Sequence, residues 1–285
     1  MEGVEDLRAR YERRAAVYDR YWGPVLAPTA GAVLEHVAPG LDPDGRGRTV
    51  LDVGCGTGVL TVGLLRRWPR LEVVSLDLAP AMLAAARQRV VAELGPEAVR
   101  RVRWVEGTAA DLPGSLPAGA GQLDAAVSSF VLQIVPDRAA ALRAIRSVLR
   151  PSGRLAFVTW QADDAAFAPA DAFDEAVLDA AIEEPDEPPD LRAGPVASAR
   201  AAAAQMRRAG FQHVGAWGAT LEHTWDAESY LALKLHYEEE ALARTLGSAE
   251  LARLEAAARR RLAALPASAF HWATPIVYAW GDRPA

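Results

Sequence analysis

"VLDVGCGTGVLT", residues 50–61, sets Gly54, Gly56 and Gly58 at alternate positions behind Asp52. The stretch begins as a short apolar run and ends with helical spacing, so it reads as a strand, a tight loop and a helix start. Glycine has no side chain to hold a ligand off the backbone, and a helix N-terminus presents free N–H groups. The loop is therefore a place where a cofactor can lie against the chain.

The same rhythm continues through residues 48–160. "LEVVSLD" is a second strand, and "PAMLAAARQRVVAEL" opens on a proline suited to a helix start and continues with strong helix formers. "RVRWVEG", "LDAAVSSFV" and "GRLAFVTW" are further strands, and the helix "DRAAALRAIRSVLR" stops before Pro151. Strands alternating with helices predict an α/β fold with a parallel sheet covered on both faces. Beyond residue 160 the rhythm breaks. Residues 161–195 end in "EEPDEPPD", an acidic proline-rich run that cannot sit inside a sheet and reads as mobile. "VASARAAAAQMRRAG" is then a helix ended by Gly210, and "FQHVGAWGATLEH" a strand. Residues 226–265 read as two helices, with Asp226 and Ser248 as N-caps and Gly247 between them. "FHWATPIVYAW" is the last strand.

Composition narrows the function classes. The 285 residues carry a formal net charge of −6, so no overall positive field recruits nucleic acid or anionic lipid. Cys55 is the only cysteine, which excludes a disulfide framework and any multi-cysteine zinc site. The N-terminal residues lack an apolar signal core, and no apolar run is long enough to span a bilayer. The expectation is a cytoplasmic protein without a transmembrane segment, a monomer or homodimer, needing no metal. Arginine replaces lysine at every position but Lys234.

Several cofactors lie on glycine loops of this kind. A dinucleotide fingerprint wants G-x-G-x-x-G, but Val59 stands at its third glycine, and the lysine of a phosphate-binding P-loop is missing. Asp52 would repel pyrophosphate and favour a ligand that carries a cation there. S-adenosylmethionine carries both an ammonium and a sulfonium at its methionine end. Asp77, which ends the second strand, suits a ribose diol in any nucleoside.

"VLDVGCGTG", the acid of "VSLDLAPAML", "VEGTAADLP", "LDAAVSSFVLQIVPD" and "IRSVLRPSGRLAFVTW" together resemble a class I S-adenosylmethionine-dependent methyltransferase, closest to the branch of the ubiquinone and menaquinone biosynthesis methyltransferases. The resemblance covers residues 48–160 and extends to the flanks in outline. It implies a Rossmann-like, doubly wound, mostly parallel seven-stranded sheet with helices on both faces and a helical lid insertion. One methyltransferase domain would span residues 1–285. Within it, residues 1–40 would form an N-terminal helical cover, 48–160 the cofactor-binding core, and 161–195 and 226–265 the segments covering the substrate. Carried over by position, Asp52, Gly54, Cys55 (by backbone) and Gly56 line the methionine moiety. Asp77 grips the ribose hydroxyls, and Leu78 and Met82 flank the adenine. Thr108, where many relatives have aspartate, and Ala109 meet the adenine edge. Ser128 faces the methionine through its backbone, and Tyr18 resembles the tyrosine with which the N-terminal segment closes over the cofactor. Met82 also fits an ordinary core position, Ser128 a strand end, and Tyr18 helix packing.

The acceptor is less defined. After the fourth strand the chain has "SSFV" in place of the Asn- or Asp-Pro-Pro-aromatic stretch of enzymes that methylate base amines. The single cysteine is also in the wrong loop for a cytosine C5 enzyme. A small, aromatic or largely apolar acceptor is expected, quinone-like or from secondary metabolism. Methyl transfer from a sulfonium is an in-line displacement that needs mainly positioning, and a base helps some acceptors. His223, His236 and His271 are the candidate bases, each with a structural role as the alternative, and His36 and His213 read as surface residues. Many relatives have histidine where Gln133 stands. Tyr21, Trp22, Trp160, Tyr230 and Tyr237 are candidate acceptor contacts among the aromatic residues outside the motif core, a set that core packing explains equally well. Another transferase on this fold, such as an aminopropyltransferase, or a scaffold that retains the cofactor without catalysis, is the alternative reading.

Overall fold

A computed structural model describes residues 2–41, 43–116, 122–182 and 191–285. The acidic proline-rich run at 183–190 lies outside the described residues. Seven strands form one sheet: β1 (Thr49–Val53), β2 (Glu72–Asp77), β3 (Val102–Glu106), β4 (Leu123–Ser129), β5 (Leu149–Trp160), β6 (Gln212–Thr224) and β7 (His271–Asp282). Their order across the sheet is β3-β2-β1-β4-β5-β7-β6, and the order reverses between β1 and β4. Pairs β1–β2, β2–β3, β1–β4 and β4–β5 are parallel, while β7 runs antiparallel to β5. This is the expected Rossmann-like, mostly parallel sheet.

Burial explains why those strands are legible as apolar runs. Residues Leu123–Ser128 of β4 are all buried, as are Val50–Val53 of β1, because helices cover both faces. Each fully buried Leu, Val or Phe contributes about 1.5–3 kcal/mol, so burial of Leu51, Val53, Leu76, Ala126, Leu142, Ile145 and Phe157 in one cluster fixes the register of the central strands.

The helices are α1 (Glu2–Tyr21), α2 (Gly23–Leu26), α3 (Ala30–Val37), α4 (Val59–Arg67), α5 (Pro80–Leu94), α6 (Leu112–Ser115), α7 (Arg138–Val148), α8 (Ala168–Asp179), α9 (Ala199–Arg208), α10 (Ala227–Leu233), α11 (Glu240–Thr245) and α12 (Ser248–Ala263). α5 has the limits its sequence announces, with Pro80 in its first turn and Gly95 at its end. α7 ends at Val148, short of Pro151. Leu149 already pairs with Leu123 in the sheet, the register then shifts, and pairing resumes at Arg154. The residue before a proline is pushed out of helical geometry, which accounts for the early end.

The chain divides into two compact units: Met1–Ala162 with Leu191–Ala219 and Pro275–Ala285, and Asp163–Asp190 with Thr220–Thr274. In the second unit Asp226 caps α10, its side chain accepting the Ser229 N–H at 2.8 Å. The helix expected to follow is interrupted by a π turn, Lys234–Glu238, in which the Glu239 N–H reaches back five residues to the Lys234 carbonyl at 2.7 Å. The chain's one lysine sits in this turn. Its ammonium pairs with Glu239 at 3.0 Å and Glu238 at 3.3 Å and lies 4.9 Å from the Phe173 ring centre, so its role here is structural. The cap of α12 is Gly247, not Ser248, because the Glu250 carboxylate accepts the Gly247 N–H at 2.8 Å and no hydroxyl is needed there. Arg261 on α12 forks onto Asp179 of α8 at 2.6 and 3.0 Å and also reaches Glu175.

Candidate cofactor site

The parallel strands end along one edge of the sheet, where Val53 pairs with Leu76, Asp77 with Glu106, and Val53 with Ser128. The glycine loop leaves β1 at this edge. Gly54, Gly56 and Gly58 all have positive φ, at 65°, 52° and 89°, a region side chains avoid. Their surroundings differ. A Cβ on Gly54 would lie 2.4 Å from a Val131 methyl, and one on Gly58 would lie 2.9 Å from the Ala86 Cβ of α5. A Cβ on Gly56 would meet nothing within 4 Å. Two of the three glycines thus admit neighbouring chain, and Gly56 alone opens onto free space.

Asp77 holds this loop. Its Oδ2 accepts the Gly56 N–H at 2.8 Å and its Oδ1 the Ala79 N–H at 3.0 Å. Burial pushes its pKa up, against the pull of those backbone donors. An ionised carboxylate has about four acceptor positions, so these backbone donors leave room for a hydroxyl donor. Asp52 is 1% exposed, and its Oδ2 accepts the Thr61 hydroxyl of α4 at 2.6 Å. Thr61 is in turn 2.8 Å from the Ser75 hydroxyl of β2. The other oxygen of Asp52, Oδ1, is buried without a hydrogen-bond partner. Burial drives the Asp52 pKa up to about 7, opposed by the Thr61 hydrogen bond and helped by the charge of Asp77.

Cys55 is buried; its N–H bonds the Leu76 carbonyl at 2.9 Å, and burial raises its thiol pKa, which favours the neutral thiol. Met82 is buried in a cluster with Ala15 and Ala79, against which Tyr11, Tyr18 and Ala81 pack, and Leu78 is half-buried. The Thr108 hydroxyl accepts the Asp111 N–H at 3.1 Å and caps the turn that contains buried Ala109. The Ser128 hydroxyl donates to the Val53 carbonyl at 2.9 Å.

α1 lies along the same edge and brings residues that sequence reading passed over. Glu12 accepts the Ala81 N–H at the start of α5 at 3.0 Å, Asp19 bonds the Thr57 hydroxyl inside the glycine loop, and Arg89 of α5 pairs with Asp19 at 2.8 Å. Arg8 pairs with Glu106 at the end of β3 at 2.5 Å. Tyr11 stands 6.4 Å from Tyr18; burial, together with the Asp77 charge, raises its pKa against the arginines around it. A carboxylate is favoured at the N-terminus of α5, but only the tertiary contact places Glu12 there.

Of the acceptor candidates, Tyr21, Trp22 and Trp160 belong to the first unit. Tyr21 is buried, with the Arg20 guanidinium 5.6 Å from its ring centre. Trp22 meets the Trp160 ring edge-on at 6.1 Å. His223, His236, His271, Tyr230 and Tyr237 belong to the second unit. The His223 ring packs on Trp225 at 4.2 Å, and burial lowers its pKa. The His271 Nδ1 is 3.2 Å from the Thr224 hydroxyl, and His236 is exposed on the π turn. Tyr230 and Tyr237 are buried, and Trp225 and Phe167 pack against Tyr230 at 6.3 and 5.5 Å. His36 is half-buried, stacked on Trp280 at 3.9 Å, while His213 is exposed beside Asp282 at 3.3 Å. Gln133 is buried and turned inward, its amide donating to the Phe130 carbonyl at 2.6 Å.

Comparison with known proteins defines the class first. The chain superposes on the [4+2]-cyclase SpnF with a TM-score of 0.60 at 15% identity, covering 99% of this chain and 97% of that one. It superposes on a methyltransferase structure from Bacillus halodurans with a TM-score of 0.53 at 16% identity, covering 90% and 100%. The fold is that of the Rossmann-like methyltransferases, and a cyclase among its neighbours means that fold alone does not fix the reaction. The narrower assignment comes from sequence. Residues 50–153 match the family described as a methyltransferase domain. The ubiquinone biosynthesis O-methyltransferase of Xanthomonas axonopodis pv. citri is 36% identical over 169 residues, 56% of this chain and 64% of that protein. The malonyl-[acyl-carrier protein] O-methyltransferase of Halorhodospira halophila is 41% identical over 155 residues, 54% and 48%. Both matches span less than two thirds of the relative's own length. Residues 50–153, which include the glycine loop, thus resemble a methyltransferase domain carried on a Rossmann-like methyltransferase fold. Among the described residues no helix is long and apolar enough to cross a membrane, and no group of three or more His, Cys, Asp or Glu could hold a metal ion.

The unequal glycines separate stability from binding. Gly58→Ala combines an unfavourable φ with a backbone clash and should destabilise the fold by about 2–4 kcal/mol. Gly56→Ala carries only the φ cost of about 1–2 kcal/mol, but it fills the open space. Urea unfolding should rank Gly58→Ala as the less stable variant. Calorimetry with S-adenosylhomocysteine should show the larger affinity loss in Gly56→Ala.

Asp52 gives stability a pH dependence. Its folded pKa of about 7 exceeds the unfolded value of about 3.9, so between those limits the native state binds the extra proton. Its contribution is complete below the lower value and is lost as pH rises through the upper one. The urea midpoint of the native protein should therefore fall between about pH 5 and pH 7.5 more steeply than that of Asp52→Asn. Equal slopes would assign the titration to another group.

Proposed function

We propose that this protein is an S-adenosylmethionine-dependent methyltransferase that methylates a hydroxyl on a small, largely apolar acceptor such as a phenol or quinol. The observation that carries the reading is the strand edge at which Gly56 opens onto free space and is held by Asp77, with Asp52, whose Oδ1 has no hydrogen-bond partner, on the strand that leads into the same loop. That set suits a ligand with a diol at one end and positive charge at the other. The names of the relatives, both O-methyltransferases, favour oxygen as the methylated atom.

When bound, S-adenosylmethionine supplies a methyl group on a sulfonium sulfur. In this reading Asp77 accepts from the ribose hydroxyls while keeping its hold on Gly56 and Ala79. The open space at Gly56 would admit the methionine end, with Gly54, Cys55 and Ser128 as its neighbours in the loop and on β4. Asp52 would supply negative charge for the cationic methionine end, and that cation would favour its ionised form. Leu78 and Met82 flank the adenine, Thr108 and Ala109 border its edge, and Tyr11 joins Tyr18 as a closing residue from α1. The acceptor hydroxyl would take that methyl group, giving up its proton to water or a base and leaving S-adenosylhomocysteine. His223, His236 and His271 remain the candidates for that base. Positioning and exclusion of water supply most of the rate.

The test is incubation with S-adenosylmethionine and a panel of catechols, hydroxybenzoates and quinols, read by mass spectrometry. The expected result is a product heavier by one methylene unit, with S-adenosylhomocysteine formed in equal amount. Failure to bind S-adenosylmethionine or S-adenosylhomocysteine, with tight binding of NAD instead, would overturn the reading.

A further inference from the structure

We propose that the groove between α7 and α9 is a binding site for a phosphate monoester, held by Arg138, Arg143 and Arg208. The groove lies in the first unit and uses no residue of the glycine loop, so it is tested separately from the methyltransferase reading. A local charge imbalance points to it. The whole chain carries a formal net charge of −6. Yet α7 holds Arg138, Arg143 and Arg146, α9 holds Arg200, Arg207 and Arg208, and neither helix contains an acidic residue.

Arg138 shows the imbalance most clearly, because it is only 7% exposed. Its Nε donates to the Leu132 carbonyl at 2.8 Å, and its terminal nitrogens donate to Gln205 Oε1 at 3.1 Å and to the Gly194 carbonyl. All of these partners are neutral, and no carboxylate among the described residues pairs with it. The bonds leave N–H donors of the guanidinium unspent. Asp137, the nearest acid in sequence, caps α7 instead by accepting the Ala140 N–H at 2.9 Å. Burial lowers the Arg138 pKa, and a cation in the first turn of a helix also opposes the helix dipole. Buried charges are ordinarily paired, and this one lacks an anion.

A cavity of about 400 Å³ opens beside it, lined also by Arg143, Arg208 and Gln205. Arg143 and Arg208 are exposed and make no hydrogen bond or ion pair with any described residue. Arg146 adds charge from the same helix. Its Nε is buried without a partner, and a Cβ on Gly210, just past α9, would lie 3.0 Å from its Cζ. The floor is fixed in advance, since the Ala193 and Gly194 N–H groups donate to the Val135 and Gln133 carbonyls, both at 2.9 Å. A guanidinium fork matches paired oxygens, and a phosphate monoester brings about −1.5 to −2 charge and three acceptor oxygens, more than a carboxylate offers. The volume falls within the range of small-molecule sites, about 300–1,000 Å³. Ala139, Ala193 and Ala209 supply short apolar walls, which suit the organic part of the ester.

The test is calorimetric titration with phenyl phosphate, inorganic phosphate and benzoate at about pH 8, where the phosphate is a dianion, and at one fixed ionic strength. Phenyl phosphate should bind about tenfold tighter than benzoate and about threefold tighter than inorganic phosphate. Arg143→Gln and Arg208→Gln, both at exposed positions that the fold does not need, should each weaken phenyl phosphate about fivefold, and together about twentyfold. Arg138→Lys keeps the charge but removes the fork and should also weaken it, with the two exposed variants carrying the test if this one fails to fold. Arg253→Gln makes the same charge change on exposed α12 and should leave affinity within about twofold. No saturable binding of phenyl phosphate, or equal affinity for benzoate, overturns the site. So does an Arg253→Gln loss as large as that of Arg143→Gln, which would reduce the effect to overall charge. Inorganic phosphate bound as tightly as the ester overturns the ester as the ligand. Displacement of phenyl phosphate by S-adenosylhomocysteine would move it to the glycine loop and overturn the groove.

Discussion

One carboxylate ties the candidate site together. Asp77 ends β2 and accepts the Gly56 N–H of the loop after β1 and the Ala79 N–H at the entry to α5. Each bond to a charged acceptor contributes about 1.5–3 kcal/mol, enough to hold a loop whose glycines otherwise roam widely in φ. The raised pKa of Asp77 marks the burial cost of that arrangement. A hydroxyl donor brought to the remaining lone pairs would reduce it. In the proposed function, structural tether and ligand acceptor are two uses of the same charge.

α1 and the glycine loop depend on this tether in turn. Asp19 bonds Thr57 within the loop and Arg89 on α5, and Glu12 occupies the α5 N-terminus beside the Ala79 that Asp77 holds. Moving Asp77 would disturb contacts from three elements at once. The opposite end of the sheet is secured separately. There Asp124 takes the Thr49 N–H at 2.8 Å and pairs with Arg48 and Arg150, each at 2.9 Å.

Much of this was legible in sequence for identifiable reasons. Strands covered on both faces must be apolar throughout, so β1 and β4 announce themselves. α5 has a proline at its start and a glycine at its end, and its limits follow. Spacing alone placed Gly56 and Asp77 at one strand edge. What stayed hidden depends on tertiary contact. Gly54 and Gly58 look identical to Gly56 in sequence, yet they make room for Val131 and Ala86. Nothing in "SSFV" discloses that Phe130 adopts a left-handed backbone, because the restraints come from Gln133 and from β5. The π turn at Lys234, with its ammonium paired to Glu238 and Glu239, is not visible in helical spacing. Thr61 was the recoverable omission, since a buried aspartate needs a donor and Thr61 lies on the first turn of the next helix.

The central claim is that the Asp77 carboxylate organises a nucleoside site, and Asp77→Ala tests it most directly. Titration calorimetry with S-adenosylhomocysteine, alongside circular dichroism to establish that the sheet is retained, is the measurement. The account predicts a loss of affinity of about tenfold or more, since charge-assisted hydrogen bonds disappear from both ligand and loop. An unchanged dissociation constant in a folded Asp77→Ala protein would contradict it.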